Sequence, residues 1–114
     1  MPHFVVDCSE QIIKLKSPQA IIKKVYDTVE SSGLFIPEEI KVRLNPFHHY
    51  PNGNTSDNFI HVFGNIMEGR TTKQKTNLSK QIVTQLKGMF PEVPIISMNI
   101  RDFEKSTYCN NEMV

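Results

Sequence analysis

Gly33-Leu34-Phe35-Ile36-Pro37 ends the first amphipathic stretch of this chain, and Gly88-Met89-Phe90-Pro91 ends the second in nearly the same letters, about 55 residues later. A glycine just past a helix accepts the left-handed cap conformation, and a proline soon after it keeps the helix from resuming. Upstream of Gly33, Ser17-Pro18 is a start signal, with serine as N-cap and proline at the first helical position. From there Ile21, Ile22, Val25, Tyr26 and Val29 recur at helical spacing, while Lys23, Lys24, Asp27 and Glu30 face the other way. Around Gly88, the apolar stripe of the second helix is Leu78, Ile82, Val83, Leu86, Met89 and Phe90, with Lys73, Lys75, Lys80 and Lys87 as its solvated side. Thr71-x-x-Gln74 supplies a capping box for this helix, with Thr72 as the other candidate cap.

Each helix is flanked by strand patterns. Met1-Pro2-His3-Phe4-Val5-Val6-Asp7-Cys8 precedes the first, separated from it by the polar connection Ser9 to Ser17, where Ile12, Ile13 and Leu15 suit a short turn or a helix start. Ile40 to Phe47 follows it, alternating Val42 and Leu44 with Lys41, Arg43 and Asn45, so Lys41 and Arg43 point to one side. Pro46 and the stretch His48 to Asn54 break that alternation and form a loop. Asn58 to Met67 and Pro94 to Phe103 flank the second helix. Residues 104–114 form a polar terminal arm.

The pattern is therefore strand-helix-strand twice over, in pseudo-repeat units of about 1–47 and 58–103 within a single domain spanning 1–114. A helical crossover joins parallel strands in a right-handed sense. Two such units predict an α+β fold in which a four-stranded mixed sheet carries both helices on one face. The other sheet face would be bare and apolar, and oligomerisation is expected to cover it.

At 114 residues, thirteen Lys and Arg against twelve Asp and Glu leave a formal charge of +1, which gives no footprint for nucleic acid or a membrane surface. No apolar run reaches the roughly 18–20 residues of a spanning helix, and the start lacks the pattern of a secretory signal, so a cytoplasmic location is expected. Cys8 and Cys109 have no metal-like spacing and read as reduced thiols. His48-His49 lacks a nearby Cys or acidic residue to complete a ligand set, so no metal is expected. His3 and His61 read as structural histidines satisfied by neighbours, and Phe59, Phe63 and Phe103 as core.

Pro2 is the chemically distinctive residue. A small penultimate residue suits removal of Met1, after which the Pro2 nitrogen changes from an amide into a secondary amine. Amino termini have a reference pKa of roughly 7.7–8.0, and an apolar site near other cations lowers it. The amine is then a general base near neutral pH.

The opening from Met1 to Ser9, Gly33-Leu34-Phe35, Phe59-Ile60-His61-Val62 and Gly69-Arg70 resemble the tautomerase superfamily, and within it the 5-carboxymethyl-2-hydroxymuconate delta-isomerases. The resemblance covers most of the chain. It implies a cofactor-free isomerase that moves a proton in an unsaturated hydroxy dicarboxylate of aromatic catabolism, with Pro2 as catalytic base. It also implies a homotrimer whose sheets enclose a barrel-like core. The family's arginine after strand three falls on Arg70, implying a binder of substrate carboxylate. A second family arginine falls on Lys41, and a nearby one matches Arg43. Lysine neutralises a carboxylate but cannot grip it bidentately, so Lys41 and Arg43 are both candidate substrate-binding residues. Two other readings stand beside this one: a non-enzymatic ferredoxin-like domain for ligand binding or association, and another tautomerase-family reaction.

Overall fold

Phe4, Val6 and Cys8 alternate with His3, Val5 and Asp7, so the first strand, β1 (His3–Ser9), buries one row of side chains completely and leaves the other on the opposite sheet face. The computed structural model describes every residue from Met1 to Val114. The same alternation in β3 (Phe59–Met67) buries Ile60, Val62 and Ile66. These two strands pair antiparallel at the centre of a four-stranded sheet of order β2-β1-β3-β4. Outside them, β2 (Lys41–Phe47) runs parallel to β1, and β4 (Ile95–Phe103) runs parallel to β3. The sheet is mixed and the architecture α+β, as the doubled pattern predicts.

Helix α2 (Pro18–Ser31) links β1 to β2, and α3 (Thr72–Met89) links β3 to β4. Ile21, Val25 and Val29 of α2 share one buried cluster with Leu78, Ile82 and Leu86 of α3 and the inward rows of β1 and β3. The start signals are realised in side-chain hydrogen bonds. Ser17 Oγ accepts from the Ala20 N–H at 3.1 Å, and Thr71 and Gln74 form a reciprocal capping box. Gly33 ends the first helical region with φ of 71°, where any other residue would be strained.

Several sequence expectations shift. Strand β2 starts at Lys41 because Ile40 closes a 3₁₀ turn (Pro37–Glu39) through its N–H to the Pro37 carbonyl. It also continues through Pro46, which stands opposite Cys8. An edge strand tolerates proline because the missing N–H can face away from the sheet. The connection after β1 contains a one-turn helix, α1 (Ile12–Leu15), with Ile12 fully buried. Lys75, assigned to a solvated face, pairs instead with Asp102 at 3.0 Å. The terminal arm is not only polar: Tyr108 stacks on Phe103 with centroids 5.6 Å apart.

The sheet face away from the helices is less apolar than expected. Strand alternation puts His3, Asp7, Lys41, Arg43, Asn45, His61, Asn65, Ser97, Asn99 and Arg101 on it beside Val5, Phe63 and Phe103. Phe63, expected in the core, is 37% exposed there. His61 is held at both nitrogens, with Nδ1 2.6 Å from Ser97 Oγ and Nε2 2.6 Å from Asn99 Oδ1. Asp7, directly opposite His61, has its Oδ1 buried without a hydrogen-bond partner. No helix is long and apolar enough to cross a membrane.

Candidate active site

The amino-terminal end of β1 meets the carboxy-terminal end of β3, because the two central strands are antiparallel. This topology carries Arg70, just beyond β3, toward Met1 and Pro2. Parallel pairing with β2 brings in Lys41, whose backbone N–H donates to the Pro2 carbonyl at 3.0 Å. Three segments distant in sequence thus converge on one sheet end. A cleft of about 430 Å³ opens there, lined by Met1, Leu34, Phe35, Glu39 and Arg70 among others, with Lys41 and Pro2 beside it.

Each side chain at this sheet end has a definable environment. Pro2 is buried, while Met1, before it, is half-exposed. The Lys41 ammonium lies 3.3 Å from the Met1 sulfur and 3.3 Å from the Glu39 carbonyl. Arg70 Nη2 donates to the Leu34 carbonyl at 2.8 Å, and Nη1 makes a longer 3.5 Å contact with the Met67 carbonyl. The guanidinium carbon also sits 4.6 Å from the centroid of the Phe35 ring. No carboxylate within 4 Å neutralises either cation. Two cations without a carboxylate partner, beside an apolar wall, can bind a carboxylate and stabilise negative charge that develops on an oxygen.

Arg43 is placed elsewhere. Its Nη1 lies 3.1 Å from His3 Nδ1, and both line a second hollow of about 320 Å³ with Asn65, Phe103 and Tyr108. The His3 pKa is lowered, first by burial and then by the positive charges of Arg43, Lys41 and the amino terminus. Pro2 and Lys41 are therefore joined directly, Arg70 shares the adjoining cleft with Met1 and Glu39, and Arg43 lies apart from them. Residue reading missed Glu39, Leu34 and Phe35 as cleft residues, although the repeated Gly-x-Phe ending marked the last two as structurally special. It also missed an acidic partner for the paired histidines: His48 Nδ1 lies 2.5 Å from Glu10 Oε2, across 38 residues. That contact lowers the Glu10 pKa, chiefly through the hydrogen bond.

Comparison with solved structures places this architecture. A 5-carboxymethyl-2-hydroxymuconate isomerase from Deinococcus radiodurans R1 superposes with a TM-score of 0.84 at 18% identity, covering 96% of this chain and 88% of that one. A 5-carboxymethyl-2-hydroxymuconate delta-isomerase gives 0.76 at 14% identity, over 97% and 87% of the two chains. A fused wild-type 4-OT described as an asymmetric trimer gives 0.79 at 14% identity, over 96% and 92%. No match is found among curated protein sequences. Fold and family together define a tautomerase-type isomerase. Residues 2–113 match the family described as 5-carboxymethyl-2-hydroxymuconate isomerase, and the chain belongs to that family.

Proposed function

We propose that the mature protein begins at Pro2 and uses its secondary amine to isomerise 5-carboxymethyl-2-hydroxymuconate or a closely related dienol. The observation that carries this reading is that Met1, the residue that precedes Pro2, lines one cleft with Arg70 while the Lys41 ammonium touches Met1 and the Glu39 carbonyl beside it. Pro2 accepts a proton from the substrate hydroxyl, leaving a conjugated dienolate, and returns it to the far carbon of the diene. One O–H bond breaks, one C–H bond forms and the double bonds shift, so no redox partner is needed. The muconate skeleton carries two carboxylates and the carboxymethyl arm a third, which suits a cleft with two cations.

Arg70 takes a carboxylate through its free N–H edge. Lys41 supplies a second positive charge close to the base, where it also disfavours the protonated amine. Arg43 acts from the neighbouring hollow through its charge on the same side of β2, a weaker role than that of Arg70. Trimeric relatives, the mixed polar face of the sheet and the unpaired Asp7 oxygen support a homotrimer built on that face.

The test is ketonisation of 5-carboxymethyl-2-hydroxymuconate by protein whose intact mass shows loss of Met1, against Pro2→Ala in the same assay. A general base contributes typically about 10²–10⁴-fold, and a loss of that size is expected. Activity should also fall in acid as the amine becomes protonated. Equal rates for the two proteins would remove Pro2 as the base. Turnover only of a different unsaturated acid would keep the base and reassign the substrate.

A further inference from the structure

The two halves of the fold end their helices on matching aromatic residues but surround them differently. Phe90, 3% exposed, lies in a hollow with Leu15, Lys16, Met89 and Val93, and no arginine reaches it. Phe35, 9% exposed, occupies the corresponding place in the first half and has the Arg70 guanidinium over its face. Lys16 and Arg70 stand at equivalent points, each immediately before the N-cap of the helix that follows, Ser17 and Thr71, but only Arg70 lies over the aromatic ring of its half. A phenylalanine at this point of the fold therefore suffices as packing, and in one half only does a cation lie over its face.

We propose that Phe35 is a positioning residue that presents Arg70 to a substrate carboxylate, an inference that rests on the carboxylate-binding role given to Arg70 above. The ring is itself fixed, standing edge-on to the fully buried Phe4 with centroids 6.1 Å apart. Gly33 turns the chain so that the Leu34 carbonyl and the Phe35 ring face Arg70 together. The Leu34 and Met67 carbonyls each accept from one terminal nitrogen and the ring takes one face of the guanidinium, which leaves three of its five N–H groups for a carboxylate. An apolar floor also excludes water from one side of the cation, which strengthens its attraction for a carboxylate. Phe35 touches no reacting atom in this scheme and acts through Arg70.

The experiment uses the full chain lacking Met1 and two readouts: calorimetric Kd for muconate, a stable dicarboxylate, and KM and kcat on 5-carboxymethyl-2-hydroxymuconate. Phe35→Leu should weaken muconate binding and raise KM about 3- to 10-fold, the range of a partly desolvated cation–π contact, while kcat stays within about twofold. Phe35→Tyr should restore both. In an Arg70→Gln background, Phe35→Leu should add nothing. If Phe35→Leu folds poorly, fluorinated phenylalanines at position 35 preserve shape while draining the π face, and Kd should rise with each fluorine at constant Tm. Unchanged Kd across that series, with Arg70→Gln still weakening binding, overturns the role of Phe35 alone. An equal effect of Phe35→Leu with and without Arg70 also overturns it. Wild-type affinity in Arg70→Gln, or no muconate binding by the wild type, overturns the carboxylate reading and this inference with it.

Discussion

The Lys41 ammonium stands 3.3 Å from the Met1 sulfur, a contact that spans the parallel pairing of β1 and β2 and holds the first residue beside the candidate site. Removal of Met1 frees that ammonium at the moment it exposes the Pro2 amine. Lys41→Ala should therefore raise KM for a dienol polycarboxylate about 10-fold, the loss of one charge-assisted contact. Lys41→Arg, which adds a planar fork, should lower it. Steady-state kinetics on protein lacking Met1 check both, and Arg43→Gln should change KM less than Arg70→Gln does.

His3 makes stability depend on pH. Burial and neighbouring cations hold its folded pKa below the ordinary histidine value of 6.5. As pH falls through that value, the unfolded chain takes up a proton that the folded chain refuses, so stability falls with falling pH. Urea midpoints at pH 7 and pH 5.5 should show the drop, and His3→Asn should reduce it. A pH-independent midpoint in the wild type over this interval would contradict the assignment.

The two thiols should differ sharply in reactivity. Burial, with a contribution from the Asp7 charge, pushes the Cys8 pKa up to about 11, and the side chain is fully enclosed. Cys109 is exposed. The thiolate is the reactive form, so a thiol reagent at pH 7.5 should modify one cysteine in the folded protein and the second only after denaturation. Peptide mapping should locate the first label on Cys109.

Gly64 faces the core opposite Phe4 in the central antiparallel pair. A Cβ there would lie 3.1 Å from Phe4 Cε1 and 3.2 Å from both Ile100 Cγ1 and Met98 Cε. The fully buried Phe4 has little room to yield, so Gly64→Ala should destabilise the fold by about 1–3 kcal/mol through overpacking. Chemical denaturation measures this directly, and an unchanged midpoint would show that the core relaxes around the extra methyl.

What the sequence by itself determined is local. The capping box at Thr71, the Ser17 cap, the Gly33 turn and the alternation of β1 and β3 are set by interactions within a few residues, so they are legible in residue order. The duplicated strand-helix-strand pattern was enough to predict a mixed four-stranded sheet, and the penultimate Pro2 was enough to suggest a candidate base. Only the tertiary structure decided where the candidate cations lie. Lys41 and Arg43 share a strand face, and alternation alone does not choose between them. The register of β2 on β1 puts Lys41 at the Met1 end and Arg43 on His3. The Phe35 platform under Arg70 likewise depends on contacts 35 residues apart along the chain, between segments brought together by antiparallel pairing of β1 and β3. Such contacts leave no periodicity, because nothing in the spacing of residues records which strand ends will meet.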